Sequence, residues 1–275
     1  MAETAAGGGS DDDSDQLVSI HEAAENCNVV QLQRALAAGV SPNITRTGQS
    51  AIHILCLADE SDPGFDHEAR MACLDLLRQS PDFDVNLRDG AGDRAIHYVA
   101  CHATSRDDVE FMQAVVDAGA DVNATGSSIF SRKAIHWVMC DSGPFSVRAA
   151  KIDLLIRAGA SVTARDNDGE TPLDLAISKV EISSPSTELI SERQRMRRVY
   201  PLLLAAGATL PTEASDPYLQ RVIAAGSFAN YERQHFDKLT RMLTPRRGPS
   251  SPLRHVPPEV LRKIAAFAFH VGYYL

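Results

Sequence analysis

Long apolar runs are missing from this 275-residue chain: the stretch IAAFAFHVGYYL near its end has 12 residues and includes His270 and Gly272. That is well short of the roughly 20 residues a membrane-spanning helix needs. A secretory signal is missing too, because MAETAAGGGSDDDSD carries acidic residues where a basic and then an apolar region would stand. Residues 1–16 instead read as a solvated acidic tail. The five cysteines, Cys27, Cys56, Cys73, Cys101 and Cys140, are odd in number, scattered and never spaced Cys-x-x-Cys, which argues against a disulfide framework and for a reducing compartment. These absences together predict a soluble, cytoplasmic protein, with the nucleus also open to it.

Positive charge is scarce in the first two thirds. Residues 1–178 hold 13 Lys and Arg against 28 Asp and Glu, whereas residues 179–275 hold 14 against 8. An acidic surface repels a phosphate backbone, so nucleic acid is not the expected partner, and the Arg-rich SERQRMRRVY lacks interleaved aromatics. Catalytic signatures are also wanting: there is no Walker phosphate loop, dinucleotide glycine fingerprint or Gly-x-Ser-x-Gly elbow.

What is present is repetition. The segments QRALAAGVSPN, MQAVVDAGADVNA, IDLLIRAGASVTA and YPLLLAAGATLP each read as the end of an amphipathic helix closed by Ala-Gly, the glycine supplying the left-handed residue that stops it. CLDLLRQSPDFDVNL follows the same plan without its glycine. The openings VSIH, SAIH, RAIH, KAIH and TPLD precede a helix each time, at residues 18–21, 50–53, 94–97, 133–136 and 171–174. Asp216 with Pro217 starts another helix, and Gly226 with Asn230 marks a turn between two helices in residues 212–243.

RDNDGETPLDLA and DAGADVNA resemble the hairpin tip, helix opening and repeat ending of the ankyrin family, with Asp174 where the family has His. The resemblance covers residues 17–211 as five repeats. It implies an all-α solenoid of stacked helix-turn-helix units with hairpin tips, in which residues 212–243 form a degenerate repeat or helical cap. The distance from helix opening to repeat ending is 22 residues from His21 to Asn43, but 33, 26, 27 and 37 in the next four units. That excess predicts enlarged inter-helix loops at ADESDPGFDHEAR, HATSRDD, DSGPFSVR and VEISSPSTELISERQ.

The thrice-written Ala-Ile-His with a trailing cysteine invites a chemical reading. Neighbouring helices about 8–10 Å apart hold Cys101 and Cys140 too far from one ion for ligands needing about 2.0–2.3 Å. A Cys-His nucleophile needs a third group and an oxyanion site that an i, i+4 pair does not offer. DNDGE at 166–170 lacks the remaining ligands of a calcium loop. The motif therefore reads as architecture, with no metal or cofactor. In the ankyrin pattern the His ring bonds a Thr hydroxyl three residues earlier; Ser50 preserves that hydroxyl, but Arg94 and Lys133 replace it, so His97 and His136 require backbone or water partners.

The resemblance places a partner-binding face on the inner helices and tips, and it implies a noncatalytic protein-interaction scaffold. Candidate contacts are Tyr98, Cys101, His102, Trp137, Cys140 and Asp141 on the helices, with Asp166 and Asn167 at a tip. The tip GSSIFSRK is longer than its neighbours, 13 residues against 11 from Asn123 to His136, and displays Ile129 and Phe130 where other tips are polar. Phe130 with Trp137 is the sharpest hot-spot candidate; the competing outcome is a tip folded back over both. After a Pro/Ser/Arg linker at 244–256, VPPEVLRKI in the apolar helix expected over 257–275 resembles the opening of an F-box and, more loosely, part of a SOCS box. Either would imply an adaptor of a cullin-type ubiquitin ligase; otherwise the helix covers the stack's end.

Overall fold

A computed structural model describes residues 19–58, 65–102, 105–127, 130–140, 143–182 and 196–243, with Pro257 and Val260. The expected tail at 1–16, the linker at 244–256 and the rest of the expected helix at 257–275 lie outside the described residues. Among those described, the protein is all-helical: it has 12 helices, no strand and one isolated antiparallel bridge, Arg46 to Gln49. No helix among them is long and apolar enough to cross a membrane. The chain divides into two compact units, Met1–Asp84 and Val85–Leu275.

In the first unit, α1 (Ile20–Glu25), α2 (Val29–Ala37), α3 (Ala51–Leu57) and α4 (His67–Gln79) pack as α1 on α3 and α2 on α4, with α1 also against α2 and α3 against α4. Leu32, Ile52, Leu55, Leu74 and Leu77 are fully buried between them. The second unit holds α5 (Ala95–Cys101), α6 (Arg106–Asp117), α7 (Ala134–Cys140), α8 (Phe145–Arg157), α9 (Pro172–Ile182), α10 (Val199–Ala205), α11 (Pro217–Ala224) and α12 (Phe228–Leu243). There α7 lies between α5 and α9, and α8 lies between α6 and α10. Ile96, Phe111, Met112, Ile135, Leu155 and Tyr200 fill the space, each large apolar side chain contributing about 1.5–3 kcal/mol.

Helix ends follow the sequence closely. Gly119 and Gly159 sit at φ of 94° and 87°, letting the next residue's N–H reach back: Ala120 to Val115 O and Ala160 to Leu155 O, at 3.3 and 2.8 Å. This is the left-handed cap that Ala-Gly predicts. Asp216 caps α11 through Tyr218 N at 2.8 Å, and Gly226 turns the chain toward α12 at φ 80°. Asn230 fixes that turn from within α12, donating to the Ala225 carbonyl at 3.2 Å.

The inter-helix stretches are helical in part, while their residues 59–64, 103–104, 141–142 and 183–194 lie outside the described residues. α4 begins at His67 and α8 at Phe145, inside segments read as loops, and α9 continues to Ile182. Asp66 starts α4 by accepting Glu68 N–H at 2.9 Å. Arg70, Arg148 and Lys151, which charge alone would put at the surface, are 1%, 2% and 0% exposed. Arg70 and Lys151 point into the ends of the short helices: Arg70 donates to the carbonyls of Leu55 and Cys56 at the end of α3, at 2.9 and 3.3 Å. Lys151 does the same for α5 through the carbonyls of Val99 and His102, and the exposed Lys179 does so for α7 through Cys140 O.

A second tie recurs at the asparagines. Asn86 donates to Gly119 O at 3.0 Å and accepts Asp121 N–H at 2.8 Å, and Asn123 repeats the pair with Gly159 O and Ser161 N–H at 2.9 and 2.8 Å. In the first unit Asn43 bonds Asp82 O and Asp84 N–H likewise. Each amide thus joins one turn to the next with both of its ends. Asn123→Ala should cost about 1–3 kcal/mol, the net value of two hydrogen bonds, read as a lower urea midpoint at unchanged slope.

Candidate functional site

The histidines that open the helices are consumed by structure. His53, His97 and His136 each accept a backbone N–H at Nδ1, from Ser50, Arg94 and Lys133 at 3.2, 2.9 and 3.2 Å. For His97 and His136 the proton must then sit on Nε2, which donates to the carbonyls of Ala124 and Ala164 at 3.0 and 3.1 Å. His21 makes the equivalent bond to Ile44 O at 2.9 Å. Backbone therefore supplies the partners that Arg94 and Lys133 cannot, as the sequence required. Burial pushes the pKa of His97 and of His136 down, against the pull of those carbonyls and of Asp93 and Asp166. Asp174 does half the job with Oδ2, accepting Thr171 N–H at 2.9 Å.

Cys73 and Cys140 are not activated. Burial, with Cys27 adding to it, pushes Cys73 up to about 12. Burial also raises Cys140, although Arg132 and Lys179 pull it down.

Three turns stand over α5, α7 and α9. Two are built alike: Asp89 Oδ1 accepts the N–H groups of Ala91 and Asp93 at 2.9 and 2.7 Å, and Asp166 Oδ1 accepts those of Asp168 and Glu170, both at 3.0 Å. Asp89 Oδ2 takes the Tyr98 hydroxyl at 2.5 Å. Asp166 Oδ2 takes Arg132 Nε at 3.1 Å. Although burial alone would raise its pKa, those N–H groups and the guanidinium hold Asp166 below the ordinary carboxylate value. DNDGE is a hairpin turn whose first carboxylate is fully engaged.

The turn between them has no such aspartate and borrows support from both neighbours. Ser127 N–H bonds Asp93 Oδ1 at 2.8 Å, and Asn167 N–H bonds the Phe130 carbonyl at 2.9 Å. Gly126 N–H closes the turn on Arg132 O at 2.9 Å. A Cβ at Gly126 would collide with Asp93 Oδ1 and the Arg132 carbonyl, so this close approach requires glycine. The backbone pinned in this way displays Phe130, 41% exposed. The Phe130 ring meets Trp137 edge to face, centroids 6.4 Å apart at 89°. Arg132 lays its guanidinium over both rings, 4.8 Å from Phe130 and 5.8 Å from Trp137.

Beside this cluster, between α5 and α7, is a cleft of about 160 Å³ lined by Asp93, His97, Tyr98, Cys101, His102 and Trp137. Tyr98 and Trp137 occupy the same position on successive short helices, directly after His97 and His136. The structure thus brings Tyr98, Cys101, His102 and Trp137 together, with Phe130 attached through Trp137. Cys140 is half-buried; the Asp166 carboxylate is spent on Arg132 and its own turn, while Asn167 holds the Phe130 carbonyl through its backbone N–H and is exposed. Ile129 and Asp141 lie outside the described residues. Sequence reasoning missed Asp93 and Arg132. The signal for Arg132 was its place between Phe130 and Trp137 in IFSRKAIHW; that for Asp93 was its place four residues before His97, where Glu170 precedes Asp174.

No protein-family model matches the chain. Over 103 residues, 38% of its length, the chain is 29% identical to the E3 ubiquitin-protein ligase Ufd4 of Drosophila melanogaster. The match spans 3% of that ligase, so the likeness is local and partial.

Proposed function

We propose that the protein is a noncatalytic interaction module of the ankyrin-repeat kind, in which a partner protein binds over the α5/α7 cleft and its tips. The observation that carries this reading is Phe130: a large aromatic side chain held out on a doubly pinned turn, edge-on to a second aromatic. Rigid exposed aromatics at the mouth of a cleft have the anatomy of an interface anchor. The raised thiol pKa of Cys140 and the fully bonded His136 above it supply no nucleophile or base, which supports the noncatalytic side of the proposal. Partner capture from cell lysate by the full-length chain and by Phe130→Ala tests it. The variant is expected to recover its partner at least about tenfold less well, since anchors of this type are worth 2 kcal/mol or more. Equal recovery would remove the binding face from this tip.

A second reading is favoured by two features: VPPEVLRKI near the chain's end, and the local similarity to a ubiquitin ligase. In it the chain is an adaptor that recruits a cullin-type ligase through residues 257–275 and presents a substrate bound by the repeats. A truncation ending at Arg247, captured in parallel, separates the two. Ligase subunits recovered with the full-length chain alone would make it an adaptor; the same partners with both would leave the plain scaffold.

A further inference from the structure

We propose that the cleft between α5 and α7 receives a basic side chain, lysine or arginine, from an exposed segment of the partner. The inference rests on the binding reading above and specifies its chemistry. At about 160 Å³ the cleft is below the roughly 300–1,000 Å³ of small-molecule and cofactor sites, and suits the end of one side chain. Two of its walls, Tyr98 and Trp137, are aromatic. The third is Asp93, whose side chain is 17% exposed.

Three of the turn aspartates, Asp89, Asp93 and Asp166, differ in one respect that matters. Asp89 and Asp166 have both carboxylate oxygens engaged within the protein. Asp93 gives Oδ1 to Ser127 N–H, and its Oδ2 has no partner among the described residues. That oxygen is not among the buried atoms left unbonded, so it stands open to water, which an arriving cation can replace with a charge-assisted bond. Among the described residues no Lys or Arg lines the cleft, so the cation comes from outside. An anionic ligand would be repelled by Asp93, and a purely apolar one would strip its water without replacement.

The aromatic cluster already shows its preference. Arg132 lies over Phe130 and Trp137, within the roughly 6 Å at which a ring quadrupole attracts a cation, but its charge is committed to Asp166. Trp137 Nε1–H is buried, with no acceptor among the described residues, so Trp137 offers the bound side chain only its ring. Because the reading above makes the partner a protein, the ligand is a peptide segment and not a free amine.

Trp137 is the sole tryptophan, so its fluorescence reports on this cleft alone. Capped tripeptides Gly-Arg-Gly, Gly-Lys-Gly, Gly-Gln-Gly and Gly-Leu-Gly are titrated into the full chain. The basic pair should give a saturable change and bind at least about tenfold more tightly than the neutral pair, the scale of one desolvated cation–π contact. Asp93→Asn keeps an oxygen for Ser127 N–H and should lose about tenfold; Tyr98→Leu, which leaves Asp93 in place, should lose a similar factor. Asp168→Asn removes the same charge from an exposed site and should change nothing. Equal binding of all four peptides would overturn the basic slot and leave a peptide cleft standing. Absence of any response, or full affinity in Asp93→Asn, would also overturn it, while the Phe130→Ala capture would still decide the binding function separately.

Discussion

Lys151→Met should lower the thermal midpoint by roughly 10 °C, because it removes a donor from inside the protein rather than a charge from its surface. Lys151 is 0% exposed, and its ammonium serves two carbonyls, Val99 O at 2.5 Å and His102 O. Both lie at the C-terminal end of α5, where carbonyls have no helical partner and the dipole favours a cation. Hydrogen bonds from a charged donor are worth about 1.5–3 kcal/mol each, so the two together approach 3 kcal/mol or more. For a unit of this size each kcal/mol moves the midpoint about 2–4 °C. Methionine fills the slot, so cavity formation adds little. Arg157→Met is the control: its pair with Asp153 joins side chains 66% and 52% exposed, and such surface pairs contribute at most about 1 kcal/mol. Equal shifts in the two variants would mean that the buried ammonium is solvated by some other route.

That cation marks the limit of what the sequence discloses. The helix starts at Ala51, Ala95, Ala134 and Pro172 were legible because the opening motif is local: Nδ1 of the histidine, or Oδ2 of Asp174, reaches a backbone N–H three residues away. The Ala-Gly endings were legible for the same reason, since the left-handed residue and its bonds fall within one turn. The donors that close the short helices come from 15 residues later for Arg70, 52 for Lys151 and 39 for Lys179. No periodicity links such positions, and charge alone argued for solvent. The candidate site divides along the same line. Tyr98 and Trp137 were found because they repeat a position; Asp93 was missed because its significance is relative. It matters because, of Asp89, Asp93 and Asp166, it alone keeps an oxygen with no partner among the described residues, and that comparison needs the bonds of Asp89 and Asp166 on view.

Stability should fall as pH falls below about 6.5, and His97 and His136 should account for much of the loss. In the folded protein both rings are held neutral: Nδ1 accepts a backbone N–H and so has no room for a proton, and burial lowers both pKa values from the ordinary 6.5. The unfolded chain titrates at that ordinary value and therefore binds more protons than the native state just below it, which makes stability rise with pH there. The contribution is complete above 6.5 and is lost on acidification toward the depressed folded values. Asp93 and Asp166 soften the effect, while Arg94, Arg132 and Lys133 sharpen it. Each histidine can add a slope of at most about 1.4 kcal/mol per pH unit. Replacing both with asparagine removes the titration at the expense of the Nε2 bonds to Ala124 and Ala164, so the double variant should be less stable at pH 7.5 yet change less between pH 7.5 and 5.5. His235, also lowered by burial and by Lys238 and Arg221, remains as a background of at most one proton. Urea unfolding across that range measures the slope directly. A double variant that loses as much stability on acidification as the parent chain would show that carboxylate protonation, not the helix-opening histidines, governs the acid limb.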